Sequence, residues 1–434
     1  MALRILIVAH DFPPLNSSAA RRPYSWARSW TDLGHEVHVL TTTKYAHDRL
    51  TDARQDMSGF TVHAVPYLPW ARPSSNVPSQ PAAGVSADPA ESGHGRWFDA
   101  VRRLTRGLRL GLGLFTEKTT LAYFPMLRAG RRLLAQHRFD LIVSTSGPDM
   151  CPMVGAGLTS GGAKWLSDYR DLWFDEFAVN RYAITTWFVN RLQSRLIRRA
   201  DAVSTVSNGL AGYIERIAPG KVLVCYNGYL GEATPAAQTA SIAKAQGEFR
   251  LVYTGTFYPE KRDPASFFAG LALLAQRTPE LAARVHVDFY GPAEDWVRAR
   301  MGQHILAGQV CFHGSVSYSE SIAAQESADL LLFIDWMDDR ADGVLTGKLF
   351  EYLASGRPIL CFGSRANTEA ARIITDCNAG QVAVSPQGVA DMLAGALQGH
   401  WDTAPDLVRI RSFSRRAQAE SLLATVGART GLWI

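Results

Sequence analysis

The sequence predicts an α/β protein made of two Rossmann-like domains whose parallel sheets face one another across a cleft. Three observations carry this. Short apolar runs rich in β-branched residues alternate with segments of helical length from end to end. At 434 residues the chain suits two domains better than one. A weakly patterned stretch of small and polar residues, 230–247, separates two such alternating halves.

The elements follow in order. "RILIVAH" reads as a strand, and "SSAARRPYSWARSWTDLG" as a helix that stops at Gly34. "HEVHVLTT" and "FTVHAVPY" read as further strands. From Ala71 to Gly95 the chain is rich in Pro, Ser, Ala and Gly, which predicts a long flexible surface loop. "FDLIVSTSG", "AKWLSDYRD" and "ADAVSTVS" are strands, and "KVLVCYNG" closes a first domain over 1–229. After the linker at 230–247, a second domain over 248–408 opens with "FRLVYTG". It continues through "VHVDFYG", "VCFHGS", "ADLLLFI", "PILCFG" and "GQVAV". Residues 409–434 are expected to form a C-terminal helix that packs back on the first domain.

Composition narrows the class. The hydrophobic fraction of 47% and charged fraction of 20% are those of an ordinary folded protein. Cys151, Cys225, Cys311, Cys361 and Cys377 form no CxxC pair, so reduced, mostly buried thiols of a cytoplasmic protein are expected, without disulfides or a zinc site. The opening residues do not read as a signal peptide, and no run approaches the ~20 apolar residues of a membrane span. The expectation is a cytoplasmic protein, soluble or peripheral on the inner face of the plasma membrane. The net charge is +5, yet ten basic residues face two acids between Arg96 and Arg138. Such a patch suits an anionic partner. Within it, "WFDAVRRLTRGLRLGLGLF" has the spacing of a basic amphipathic helix, which favours an anionic membrane surface over nucleic acid.

In open α/β sheets ligands bind at the carboxyl ends of strands, where loops lead into helix N-termini. Three such places stand out. After the first strand, "DFPPLNSSAARR" brings Ser17, Ser18 and Arg21 to a helix start, where N–H groups could hold an anion or a sugar hydroxyl, or where a serine simply caps the helix. After "FRLVYTG", which ends at Gly255, Lys261 and Arg262 sit in the turn before the next helix; adjacent cations there suit a diphosphate, or simply line a solvated turn. In "GVLTGKLFEYLASGRPIL" a helix starts near Thr346 and Gly347, and its mouth and Lys348 favour a phosphate. Glu351, a turn later, suits a pair of vicinal hydroxyls such as those of a ribose; the alternative is an ordinary amphipathic helix with Lys348 and Glu351 on its wet face. Phosphate and ribose together describe a nucleotide. There is no GxxxxGK[ST], no GxGxxG after the first strand, no D-x-D and no HExxH, so no P-loop, dinucleotide or metal chemistry is expected.

Taken together, "DFPP…RR…W…LGHEVHVLTT", "FDLIVSTSGP", "YRDLW", "ADAVSTVSNGLAGYI", "VCYNG", "VYTGTFYPEKRDP", "VDFYGP", "VCFHGSVSYSES" and "KLFEYLASGRPIL" resemble the retaining family-4 glycosyltransferases of the GT-B fold. The bacterial O-antigen, capsule and exopolysaccharide branch is the most similar. The resemblance implies a sugar transferred with retention from a UDP- or GDP-sugar to a glycan or lipid-linked acceptor, without metal or other cofactor. It places Lys261 on the phosphate-binding lysine, Glu351 on the ribose-binding glutamate, and Gly255 on the strand-end glycine. Val316 and Ser317 fall where the backbone contacts the nucleobase. Lys261 and Arg262, with Asp171 of "YRDLW", are the expected catalytic groups; Arg170, Ser17, Ser18 and Arg21 lie on the acceptor side. Two positions depart from the pattern: Gly343 stands where the family has a first glutamate, beside Asp342, and Thr256 stands where it has an arginine. A nucleotide-sugar 2-epimerase and a noncatalytic nucleotide-sugar-binding homologue are the alternative functions.

Overall fold

The computed structural model describes residues 2–45, 48, 55–68, 118–159, 162–171, 183–233, 247–292, 295–301, 308–337, 343–401 and 404–432. The expected loop at 71–95, the Arg-rich segment from 96 to 117, most of the linker, and Asp342 lie outside these residues. Unit 1 comprises Met1–Val206, Leu210–Cys225 and Ala419–Ile434; unit 2 comprises Ser207–Gly209 and Tyr226–Gln418.

In unit 1 the described order is β1 (Arg4–Val8), α1 (Ser18–Asp32), β2 (Glu36–Thr42), β3 (Thr61–Val65), a 3-10 turn (Lys118–Ala122) and α2 (Tyr123–Gln136). Then come β4 (Leu141–Thr145), α3 (Met150–Leu158), β5 (Lys164–Tyr169), α4 (Ala183–Arg199), β6 (Ala202–Thr205), α5 (Asn208–Ile217) and β7 (Val222–Val224). The sheet runs β3-β2-β1-β4-β5-β6-β7, every pairing parallel. Its central strands are near-continuous apolar runs because both faces are covered. Leu6, Val8, Leu40 and Ile142 pack with Met126 and Leu127 of α2 and Val154 of α3. Ile5, Ile7, Val39 and Val143 pack on the other face with Trp26 and Trp30, one helical turn apart on α1. Ser17 caps α1 by accepting from the Ala20 N–H, and Gly34, at φ +86°, ends it.

Unit 2 holds β8 (Phe249–Thr254), α6 (Ala265–Arg277), α7 (Pro279–Ala282), β9 (Val285–Tyr290), α8 (Asp295–Met301), β10 (Val310–Gly314), α9 (Tyr318–Glu326) and β11 (Leu330–Ile334). It continues with α10 (Gly347–Ser355), β12 (Ile359–Phe362), α11 (Glu369–Asp376), β13 (Gly380–Ala383), α12 (Pro386–Leu397) and α13 (Leu407–Ser412). The parallel sheet order is β10-β9-β8-β11-β12-β13. The last helix, α14 (Arg415–Thr430), begins in unit 2 and from Ala419 belongs to unit 1. There Ala419, Leu422, Leu423 and Val426 join the tryptophan face of the core, and the Trp30 indole N–H donates to the Ala419 carbonyl at 2.9 Å. Cys151, Cys225, Cys361 and Cys377 are buried, while Cys311 is exposed. Among the described residues, no helix is long and apolar enough to cross a membrane.

Candidate functional site

The strongest chemistry lies at the carboxyl end of the unit 2 sheet. β8 runs out at Gly255, whose φ of +137° favours glycine. A side chain there would also meet the Lys348 ammonium, its Cβ lying 2.9 Å from Nζ. The loop then turns at Glu260, which takes a positive φ of 62°. The following residues are tied down by backbone: the Arg262 N–H donates to the Tyr258 carbonyl at 2.8 Å, and the Met337 N–H donates to the Lys261 carbonyl at 2.7 Å. Trp336, just beyond β11, is the aromatic platform for both cations. Lys261 Nζ lies 5.6 Å and Arg262 Cζ 5.3 Å from its ring centroid.

Arg262 is 4% exposed, yet its Nε and Nη2 make no hydrogen bond. Lys348, one residue into α10, has a buried ammonium that makes none either, 3.9 Å from the Tyr253 ring centroid. Burial and then the Arg262 charge push the Lys348 pKa well below its ordinary 10.5, against the weaker pull of Glu351 and Asp335. Asp335 cannot serve Lys348 fully, since its carboxylate accepts from the Thr368 hydroxyl at 2.6 Å and the Trp336 N–H at 2.8 Å. Thr346 is the N-cap of α10, but its hydroxyl makes no capping bond and is buried without a partner. A Cβ on Gly347 would meet nothing within 4 Å. Two unsatisfied buried cations, an unused hydroxyl and a helix mouth therefore surround one place. Buried donors in that state cost stability unless an anion completes them; an incoming diphosphate would do so.

Glu351 lies one turn along α10, partly buried, with the Gln325 amide of α9 3.5 Å from its carboxylate. Gln325 is itself held by the Thr254 hydroxyl at 3.0 Å, and the Thr254 N–H by the Tyr352 hydroxyl at 2.8 Å. These bonds fix the side of α10 that presents Glu351. Val316 is half-buried in the loop after β10. Ser317 is occupied: it caps α9 in a capping box with Glu320, its N–H donating to that carboxylate and its carbonyl accepting from Ser321. The Ser317 N–H is thus engaged within the protein.

Gly343 has a structural reason. It is buried at φ +100°, and a Cβ would stand 2.8 Å from Gly209 Cα and 2.9 Å from Ser207 Oγ, all within unit 2. No glutamate fits there. The nearby acid is instead Glu369, at the start of α11, whose carboxylate accepts the N–H groups of Asn208 and Gly209 at 2.7 and 3.1 Å. At Thr256 the carbonyl accepts the Tyr253 hydroxyl at 3.0 Å.

Unit 1 gathers a second polar group at its own strand ends. Arg170 pairs with Asp11 at 3.1 Å and donates to the Ser146 and Gly147 carbonyls. A side chain at Gly147, at φ +89°, would collide with that guanidinium. Burial raises the Asp11 carboxyl pKa, with Arg170 and Lys44 opposing. Lys44 is buried, its pKa pulled down to about 8 by desolvation, and donates to the carbonyls of His10 and Thr42 at 2.6 and 3.0 Å. Burial, then Lys44, pull His10 down to about 3, so its imidazole is neutral. The sequence pointed to Arg170 here and read His10 as structural, but missed Asp11 and Lys44; these groups follow β1, β2 and β5, and only the fold brings those strand ends together. Asp171 is exposed, Ser17 is spent as the α1 cap, Ser18 is exposed and Arg21 is half-buried beside them. Its neighbour Arg22 is buried instead and makes two bonds, at 3.1 and 2.7 Å, to Asp168, which also accepts from Thr145 and Ser204.

With both groups in place, comparison with known families covers residues 18–228. These residues match the model of a glycosyl transferase 4-like domain. The solved structures similar to the whole chain carry the GT-B fold. Sucrose-phosphate synthase from Thermosynechococcus elongatus is 13% identical, with a TM-score of 0.62 over 99% of this chain and 100% of that one. The lipopolysaccharide outer core galactosyltransferase WaaB, in its apo form, is 12% identical, at 0.57 over 98% and 100%. A proposed UDP-N-acetylglucosamine 2-epimerase from Listeria monocytogenes is 8% identical, at 0.51 over 100% and 98%. At these identities the likeness shows the fold alone. No curated protein matches the sequence at a significant level. The domain accounts for unit 1 from α1 to the loop after β7, while the unsatisfied cations lie in unit 2.

Proposed function

We propose that the protein is a retaining glycosyltransferase that uses a UDP- or GDP-sugar and needs no metal ion. The observation that carries the reading is the pair of buried cations Arg262 and Lys348, whose Nε and Nη2 groups and ammonium make no hydrogen bond, between a strand end and a helix mouth. Their charge suits a leaving diphosphate, whose negative charge grows in the transition state. Lys261 adds a cation on the same loop, and Glu351 accepts the ribose hydroxyls. The bond from the anomeric carbon to the phosphate oxygen breaks as the acceptor oxygen bonds to the same face. The departing phosphate oxygen takes the acceptor proton. This course needs no carboxylate nucleophile. Asp171, Arg170 and the Asp11–Arg170 pair handle a hydroxyl acceptor, which we place among lipid-linked or cell-surface glycan intermediates in polysaccharide biosynthesis. The Arg-rich segment before residue 118 suits docking of such an enzyme on the inner face of the plasma membrane.

A thermal-shift series with UDP, GDP and ADP, followed by transfer assays with the matching sugars, tests the reading. One nucleotide should raise the melting temperature, and Glu351→Ala should weaken its binding about tenfold or more, the loss of a charge-assisted bond. No stabilisation by any of the three, or full affinity in the alanine variant, would overturn it. Product analysis separates transfer from 2-epimerisation, and binding without turnover on any acceptor would identify a noncatalytic homologue.

A further inference from the structure

Three histidines and a glutamate from three separate stretches of sequence meet at one edge of unit 1. Glu36 and His38 lie on β2, His63 on the edge strand β3, and His137 in the turn after α2. Residues two apart on a strand share a face, so Glu36 and His38 point the same way. The register pairs Leu40 with His63, which brings the two rings together across the strands. They stack at 5.3 Å, with His38 Nδ1 3.0 Å from His63 Nε2. On its other side, His38 Nε2 lies 3.0 Å from Glu36 Oε1, and the His137 ring centroid stands 4.9 Å away. One ligand atom from each of Glu36, His38 and His137 lies within 4.8 Å of the others.

We propose that Glu36, His38 and His137 form a binding site for a divalent transition metal of the zinc type, with His63 as the outer partner that orients His38. Imidazole and carboxylate are the donors such ions take, at about 2.0–2.2 Å, with ligand atoms a little over 3 Å apart. The 3.0 Å separation of His38 Nε2 and Glu36 Oε1 is close to that spacing already. A small rotation of the partly exposed His137 ring closes the third side. His63 gives the arrangement its logic: if its Nε2 accepts the His38 Nδ1–H, the lone pair of His38 Nε2 is left for the metal. Arg4, paired with the second Glu36 oxygen at 2.7 Å, fixes the carboxylate from outside. Water supplies the fourth position. Glu36 opens β2, so the cluster lies at the opposite end of the sheet from His10, Lys44 and Arg170. The metal is therefore structural: it ties β2, the edge strand β3 and the α2–β4 turn together. It takes no part in sugar transfer, and its test is independent of the nucleotide assays.

The experiment uses the full chain without a histidine tag, stripped with chelator and titrated with Zn2+ and separately with Co2+. One Zn2+ per chain is expected, with a rise in melting temperature of about 5 °C at a hundredfold excess over Kd. The Co2+ form should show the intense visible bands of a four-coordinate ion. His137→Asn, a partly exposed position, should abolish both signals while leaving the metal-free melting temperature unchanged; His38→Gln should do the same for binding. Failure of the unaltered protein to take one equivalent, or binding that survives His137→Asn, would overturn the proposal.

Discussion

At the scale of single residues, the site is defined by charges placed where water cannot reach them. The depressed pKa of Lys348 makes this measurable. The unfolded chain titrates this lysine near 10.5, whereas the native protein releases the proton earlier. Between the native value and 10.5 the unfolded state binds more protons, so stability rises with pH through that window. Lys348→Met removes the proton and with it that part of the slope. Denaturant unfolding across a pH series should show a flatter profile in the variant, and equal or greater stability at neutral pH, by up to about 1–4 kcal/mol. An unchanged slope would mean that Lys348 is paired in solution. These residues were partly legible in the sequence. Lys261, Arg262, Lys348 and Glu351 stand in loops and helix starts whose local pattern announces them. Asp168 and Arg22, separated by 146 positions, were not, because only the fold brings a buried pair together.

At the scale of elements, α10 is positioned by what precedes it. The chain enters the helix through Gly343, packed at positive φ against Gly209 and Ser207. The resemblance places a glutamate at this position; only the structure shows that a side chain is forbidden there. Gly343→Glu, which places there the residue that the resemblance implies, should therefore harm the protein. The backbone conformation alone costs about 1–3 kcal/mol for a non-glycine residue, before the collision is counted. Chemical denaturation should show a loss of about 2 kcal/mol or more, with weaker nucleotide binding. A variant as stable as the parent and more active would show that the loop repacks. The strand-helix rhythm was readable throughout because buried parallel strands are continuous apolar runs. The capping role of Ser317 was not read from the sequence, because a capping box and a backbone contact to a ligand look alike there.

At the scale of the whole molecule, the chain passes between its two units four times, at residues 207, 210, 226 and 419. Unit 1 is therefore not a contiguous segment. A fragment ending at residue 229 lacks Ala419, Leu422, Leu423 and Val426, which complete the Trp26 and Trp30 face of the core. Expressed alone, it should expose that face, bind a hydrophobic dye and aggregate. Fusing residues 415–434 to it through a flexible linker should restore a cooperative thermal transition. A 1–229 fragment that melts cooperatively without the helix would show that the core closes unaided. Two domains and a returning C-terminal helix were expected from length and rhythm, but the brief excursion at Ser207–Gly209 was not, because nothing in the local sequence marks it.

The unsatisfied cations have one more consequence, for turnover. On the proposed reading, Arg262 and Lys348 grip the diphosphate, not the sugar, and transfer leaves that diphosphate with an added negative charge. The spent nucleotide is thus the better occupant of the clamp. Such an enzyme should be strongly product-inhibited, with departure of the nucleoside diphosphate setting its pace, and its flux in a cell should follow how quickly that by-product is cleared.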